Sequence, residues 1–422
     1  MKPCIYQQTS QNTSEIQRLL RHYPIPIDES GNTVKFSYGT AGFRYRHELI
    51  PPIMVRIAIF AAMRSSALDG EPVGIMITAS HNPECDNGIK LSDSNGGMLP
   101  IKWETMATEF ANSDQCVLEA KPKTKSMVVH IGRDTRSHSL HLSQLAIRSA
   151  LAFGATVIDH GCITTPALHY YVLRSNPHHM PNALICGSSG TSFEKEYLDS
   201  IIGSYVTLLS TKHSAKNVND APRRQMLVDC ACGVGGLKIP LLNHMLISFQ
   251  KGGGILLREQ LVELVPINLP GDGPLNERCG AEYVQKQQQL PVVYSECDEK
   301  KLPMSYAASF DGDADRIVFH CKDSQGKLVL LDGDKIAVLV SSFIQEEILA
   351  LSTAVPEAKS VRCGIVQTAY ANGASTAYLK VSTLLCTKLQ NYYGIELPLL
   401  TKVMNAIQRI LSRQTLSLRR LG

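Results

Sequence analysis

Val73-Gly74-Ile75-Met76-Ile77-Thr78-Ala79-Ser80-His81-Asn82-Pro83 is an apolar run that breaks abruptly into small, polar and turn-forming residues. Val73 to Thr78 reads as a buried strand, and the residues after it as a tight loop at the strand end. Similar short runs follow at Met127 to Ile131, Ala155 to Asp159, Ala183 to Cys186, Met226 to Asp229, Tyr306 to Phe310 and Ile317 to Cys321. Between them lie longer helical patterns, at Ile53 to Leu68, Leu140 to Phe153, Leu237 to Phe249 and Lys335 to Leu349. The alternation predicts an α/β chain with mainly parallel strands.

At roughly 150 residues per domain, 422 residues predict about three domains. Polar stretches at Thr211 to Arg224 and Lys322 to Lys327 place the boundaries. The expected domains are 1–215, carrying the serine loop, 216–325, carrying an acidic loop, and a partial third domain over 326–422. A hydrophobic content of 44% with ordinary Gly and Pro usage excludes disorder and fibres. The net charge of +4 is too small for a nucleic-acid footprint unless concentrated, and it is concentrated after Val381, where six basic residues face Glu396. Twelve cysteines are scattered without a Cys-x-x-Cys pair, which points to a reduced intracellular protein with structural Cys230 and Cys232. Neither a signal peptide nor an uninterrupted apolar stretch of about 18 residues is present, so no transmembrane segment is expected.

Ser80, held at a tight turn near free backbone N–H groups, suits a nucleophilic or phosphorylated hydroxyl; the competing reading is a helix-capping serine. Phe310-Asp311-Gly312-Asp313-Ala314-Asp315-Arg316 sets three carboxylates at alternate positions, which converge when a loop wraps a hard cation. An EF-hand is excluded because Arg316 stands where the sixth-position glycine belongs. A solvated acidic turn is the alternative. Tyr38-Gly39-Thr40-Ala41-Gly42-Phe43-Arg44 and Gly132-Arg133-Asp134-Thr135-Arg136 put Arg beside Gly or small residues and suit phosphate, or else form surface salt bridges. Cys232-Gly233-Val234-Gly235-Gly236 lacks the third glycine of a dinucleotide fingerprint and is read as a strand-to-helix turn. Gly187 to Ser192 has no basic residue and reads as a flexible loop rather than a phosphate cradle.

Together these motifs resemble the phosphohexomutase superfamily, and their order resembles its phosphoacetylglucosamine mutase branch, in which the Gly-Arg-Asp segment follows the serine loop. Thr164 to Tyr170, Val228-Asp229-Cys230, Leu275-Asn276, Cys279-Gly280-Ala281 and Gln367 to Gly373 are similar to that branch as well. The resemblance implies consecutive α/β domains with mixed sheets. It implies that Ser80 carries the transferred phosphoryl group and that Asp311, Asp313 and Asp315, with a phosphate oxygen on Ser80, hold Mg²⁺. Lys90 and Arg44 would stand beside the serine, Lys90 as proton shuttle or charge stabiliser, and Arg316 would steady the transferring group. His81 and Asn87 would contact substrate.

The implied reaction interconverts N-acetylglucosamine 6-phosphate and 1-phosphate through a bisphosphate, for nucleotide-sugar synthesis in the cytosol. Sugar phosphates are the expected partners, with no nucleic acid, and no protein partner is implied. The branch's Glu-Ala-Asn-Gly-His-Gly and Arg-Pro-Ser-Gly-Thr loops do not occur in the sequence. The third domain is therefore expected to be incomplete, the fourth and its distal phosphate site absent, and turnover impaired. The basic tail, with Leu399, Leu400, Val403, Met404, Ile407, Ile410 and Leu411 at helical spacing, reads as a poorly packed terminus or as a surface for a membrane or partner. A non-catalytic sugar-phosphate binder and a mutase for glucose or mannose phosphates are the alternative functions.

Overall fold

The serine loop follows a strand of one sheet and the acidic loop follows a strand of another. The computed structural model describes residues 3–8, 10–39, 42–124, 126–179, 192–212, 225–251, 262–293, 307–323, 325, 327–354, 363–367, 371–381 and 385–389. The strand expected over 183–186, most of the loop at 187–192, the polar linker from 213 to 224 and the basic tail lie outside the described residues. The chain divides into two compact units, residues 1–330 and 331–422.

The first unit opens with a six-stranded sheet of β1 (Cys4–Tyr6), β2 (Phe43–Arg46), β3 (Val73–Ile77), β4 (Asp86–Ser92), β5 (Val128–Arg133) and β6 (Thr156–Cys162), in the order β1-β6-β5-β3-β4-β2. Only β6-β5-β3 run parallel; β1, β4 and β2 add antiparallel. A second sheet, ordered β11-β10-β9-β7-β8, contains β7 (Gln225–Asp229), β8 (Glu263–Ile267), β9 (Ala307–Phe310), β10 (Ile317–Lys322) and β11 (Leu328–Leu331). Here β8-β7-β9 are parallel and β10 is antiparallel to β9. The expected mainly parallel chain is thus corrected to parallel centres with antiparallel margins. Antiparallel neighbours need only a short loop, and the seam between β3 and β4 is the serine loop itself.

β4 was not foreseen, because Asn87, Gly88 and Lys90 are poor strand formers. Gly88 makes it possible: a Cβ there would lie 2.5 Å from the carbonyl oxygens of both Phe43 and Thr78. With that approach secured, Ile77 pairs with Ile89 and Met76 with Lys90.

Helices α1 (Thr13–His22), α2 (Ile50–Ala67), α3 (Ile101–Ala111), α4 (Asp114–Glu119), α5 (Ser139–Ala152) and α6 (Thr165–Ser175) pack around the first sheet. α2 is apolar on all sides, with Pro51 and Pro52 in its first turn, where the missing N–H groups cost nothing. It is long and apolar enough to cross a membrane, yet 83% of its apolar window is buried in the core, beside α5 and α3. Its fully buried Arg56 donates to the Pro52 and Tyr23 carbonyls and pairs with Asp114. Helices α7 (Phe193–Lys212), α8 (Gly235–Lys251) and α9 (Ala281–Gln287) complete this unit. The turn expected at Cys232 to Gly236 does join β7 to α8.

In the second unit, α10 (Gly333–Ala354) and α11 (Gly373–Val381) pack about Leu379, Val338, Ile344, Ile348 and Ile365. β12 (Cys363–Gln367) pairs parallel with β13 (Leu385–Leu389).

Candidate active site

Ser80 follows β3 with φ of +54°, a left-handed conformation that side chains with a Cβ seldom adopt. Its N–H donates to Thr78 Oγ1 at 2.8 Å, and the residue is 1% exposed. The strained turn aims the hydroxyl across to the acidic loop after β9. Ser80 Oγ donates to Asp311 Oδ2 at 2.6 Å and stands 3.5 Å from Asp315 Oδ1.

The three carboxylates converge as expected, offering ligand oxygens that lie within 4.8 Å of one another. Asp311 Oδ1 accepts the backbone N–H groups of Asp315 and Arg316, which curls the loop around it. Asp313 Oδ2 accepts from Lys90 Nζ at 2.7 Å and from Thr165 Oγ1 at 2.5 Å. Asp313 Oδ1 is buried and has no hydrogen-bond partner among the described residues. One oxygen of that carboxylate is saturated while the other is kept bare and dry, a costly arrangement without a cation. Burial, then the charges of Asp313 and Asp315, push the Asp311 carboxyl well above its ordinary range. An all-oxygen donor set under mutual repulsion fits a hard divalent cation, and the solvated acidic turn is excluded by the burial of Asp311 and Asp313.

Lys90 enters from β4, 7% exposed, bridging Asp313 Oδ2 and Asp315 Oδ2 at 2.7 Å each. Burial alone would lower its pKa, but the two carboxylates outweigh that and raise it, so the amine stays cationic. The same charge holds the Asp315 carboxyl below its ordinary range against the opposing effect of burial. His81 Nδ1 lies 3.4 Å from Ser80 Oγ. Burial, followed by the charge of Arg316, pushes that imidazole down to about 4, leaving it neutral near pH 7.

The other expected residues are placed less centrally. Arg316 is 43% exposed at its side chain, with Nη1 3.2 Å from Glu282 Oε2 and Nε 4.0 Å from Asp311 Oδ2. Arg44 lies opposite Gly88 on β2 and makes no ion pair with a described residue. Asn87 is fully buried; its amide donates to Ser139 Oγ at 3.0 Å and its oxygen accepts from Gly88 N–H at 2.8 Å, so the structure does not bring it to the cluster. The Gly132 to Arg136 segment presents neither arginine as a surface salt bridge: Arg133 Nη1 donates to Cys162 Sγ at 2.8 Å, and Arg136 is buried beneath the serine loop.

Two residues of the site carried no expected role. Thr165 begins α6 after the Thr164 N-cap, and its N–H also donates to the Asp313 carbonyl at 3.1 Å. Asn276 Nδ2 donates to the carbonyls of Ser80 and Asn82 at 2.8 and 3.0 Å. The cap pattern Thr-Thr-Pro was a visible signal for the first; the second had none beyond its motif.

The family model for phosphoglucomutase/phosphomannomutase alpha/beta/alpha domain I matches residues 53–116 and 101–188. Those for phosphoacetylglucosamine mutase AMG1 domains II and III match 188–318 and 332–391. The phosphoacetylglucosamine mutase of Mus musculus is 38% identical over 81% of this chain and 58% of its own length. That of Saccharomyces cerevisiae is 38% identical over 84% of this chain and 62% of its own. The chain thus spans about 60% of the length of these curated relatives. Among solved structures, an apo N-acetylglucosamine-phosphate mutase of the alpha-D-phosphohexomutase superfamily is 31% identical, with a TM-score of 0.69 over 89% of this chain and 76% of its own. An Aspergillus fumigatus N-acetylphosphoglucosamine mutase in complex with GlcNAc-6P and magnesium is 31% identical, with a TM-score of 0.70 over 89% of this chain and 66% of its own.

Proposed function

The chain belongs to the phosphoacetylglucosamine mutase family of the phosphohexomutase superfamily, and on that premise we propose that it moves a phosphoryl group between the 6- and 1-hydroxyls of N-acetylglucosamine through Ser80. The observation that carries this reading is the 2.6 Å approach of Ser80 Oγ to an acidic trio in which Asp311 and Asp313 are buried. Relatives captured with GlcNAc-6P and magnesium, and with glucose 1,6-bisphosphate, support the substrate class.

Asp311, Asp313 and Asp315, with an oxygen of the Ser80 phosphate, would hold Mg²⁺. Bound there, the ion neutralises charge on the phosphoryl oxygens. Lys90, kept cationic by its two carboxylates, lends positive charge to the same centre and acts as a stabiliser rather than a base. Neutral His81 offers the substrate a hydrogen-bonding group beside the serine, and exposed Arg316, with Nε 4.0 Å from Asp311 Oδ2, would lend charge to the transferring phosphoryl group.

In the forward transfer the bond from Ser80 Oγ to phosphorus breaks as one from the sugar 1-hydroxyl forms, and the hydroxyl proton ends on Ser80. The bisphosphate then turns, and its 6-phosphoryl group returns to Ser80 by the same exchange. The burial of Ser80, Asp311 and Asp313 limits the access of water, which would otherwise hydrolyse the phosphoserine. The product 1-phosphate is the form that nucleotide-sugar synthesis consumes.

Conversion assays with N-acetylglucosamine 6-phosphate, glucose 6-phosphate and mannose 6-phosphate test the assignment. The acetamido sugar should give the highest kcat/KM; preference for glucose or mannose phosphate would transfer the chain to another activity of the superfamily. Binding of all three without turnover would make it a sugar-phosphate binder.

A further inference from the structure

Arg136 is 2% exposed, and its guanidinium has five N–H groups to satisfy. Nε donates to Asp134 Oδ2 at 2.9 Å. Nη1 donates to the carbonyls of Pro83 and Asp86, and Nη2 to those of Ser80 and Asn82 at 3.2 and 2.9 Å. Every donor is used, and four of the five acceptors are carbonyls of one loop. Asp134 is itself fully buried and fixed, with its N–H donating to the Ile77 carbonyl at 3.0 Å and its Oδ1 accepting from Ser139 Oγ at 2.6 Å.

A second donor reaches the same loop. Asn276 Nδ2 binds the Ser80 and Asn82 carbonyls that Arg136 Nη2 also binds. Asn276 lies in the segment that precedes α9, so this contact ties the serine loop to the half of the unit that carries the acidic loop.

We propose that Arg136 is a positioning residue for phosphoryl transfer, and that Asn276 is its partner clamp: together they hold the Ser80 peptide in its left-handed turn, so that Oγ stays aimed at the acidic trio. The proposal rests on the reading of Ser80 as phosphoryl carrier. A left-handed serine relaxes into the extended region unless its carbonyl is pinned, and relaxation would swing Oγ away from Asp311. Neither clamp touches the carboxylate oxygens of the trio, so their effect is on the serine and not on the cation.

Arg136→Lys retains the charge that Asp134 needs but has three donors for five acceptors. Asn276→Gly removes both donors while accepting the φ of +62° at that position, and so folds without added strain. The experiment loads each full-length variant from glucose 1,6-bisphosphate with Mg²⁺, follows Ser80 phosphorylation by intact mass, measures Mg²⁺ affinity by calorimetry, and maps amide hydrogen exchange. In both variants exchange across residues 79–86 should rise about tenfold or more while β3 and β5 stay protected. Loading should slow by about 100-fold for Arg136→Lys and less for Asn276→Gly, with Mg²⁺ affinity within about twofold of wild type.

Unchanged loop exchange overturns the proposal, as does faster exchange with unchanged loading, or a loss of loading that merely follows a loss of Mg²⁺ binding. If Arg136→Lys fails to fold, Asn276→Gly decides the matter. Failure of the wild type to load would instead overturn the reading of Ser80, and the exchange map would still judge the clamp.

Discussion

Ser80 Oγ and Asp311 Oδ2 stand 2.6 Å apart although 231 residues separate them in the chain. Two independent strand ends meet here, one presenting a hydroxyl and the other three carboxylates, and the chemistry proposed for the protein follows from that meeting.

Lys90 is the cation that makes the meeting tolerable when no metal is bound. Lys90→Met leaves Asp313 and Asp315 without their shared partner, and breaking a buried pair of this kind costs about 3–5 kcal/mol. Thermal unfolding should show that loss, and added Mg²⁺ should recover part of it. A variant as stable as wild type without Mg²⁺ would mean that the pair contributes nothing.

Asp313→Asn replaces the bare Oδ1 carboxylate with an amide and removes one charge from the trio. Mg²⁺ affinity measured by calorimetry should fall by about tenfold or more, together with phosphoryl transfer. If affinity is unchanged, the loop is structural.

Gly233 lets the β7–α8 turn press against the acidic loop, since a Cβ at this position would lie 2.4 Å from the Gly312 carbonyl oxygen. Gly233→Ala should cost about 1–3 kcal/mol and shift the trio, reducing transfer. Gly203→Ala is the control: a Cβ at Gly203, inside α7, meets nothing within 4 Å, and the exchange should stabilise by about 0.5–1 kcal/mol. Equal effects of the two substitutions on transfer would show that the Gly233 contact does not set the loop.

The stacked pair His130 and His160 contributes to the acid sensitivity of the fold. Ser175 Oγ donates to the Val172 carbonyl and therefore accepts from His130 Nε2 at 3.1 Å, which leaves His130 Nδ1 to accept from His160 Nε2 at 2.9 Å. His130, donating from Nε2 and accepting at Nδ1, must be neutral. Burial lowers His130 to about 3, and burial plus its neighbour lowers His160 well below 6.5. The unfolded chain therefore binds protons first as pH falls, so this stability is complete above about 6.5 and is lost on acidification toward the folded values. Between pH 6.5 and 5 His130 should remove about 2 kcal/mol, and His160→Phe should flatten the pH profile of stability measured in urea titrations. An unaltered slope would show that the pair does not titrate on unfolding.

The legible parts of this site were those where local chemistry is loud. β3 and β9 are short apolar runs ended by small or acidic residues, and their turns were readable for that reason. β4 was not, because its strand exists through Gly88 meeting two neighbouring carbonyls and not through its own propensity. The Gly132 to Arg136 segment was readable as a phosphate site or a surface salt bridge, since an arginine beside glycine and aspartate carries no mark of whether it faces a cleft or the underside of a loop. Asn87 was named through the resemblance alone, and in the structure its buried amide faces Ser139. The antiparallel margins of both sheets were legible only through the family resemblance, which implied mixed sheets, since apolar runs reveal strands but not their direction.

Mass measurement of the intact chain after incubation with glucose 1,6-bisphosphate and Mg²⁺ tests the central claim most directly. The account predicts one added phosphoryl group, located on Ser80 by fragmentation, absent from Ser80→Ala, and discharged when N-acetylglucosamine 6-phosphate is supplied. Phosphorylation that persists in Ser80→Ala, or a wild-type chain that gains no mass, would contradict it.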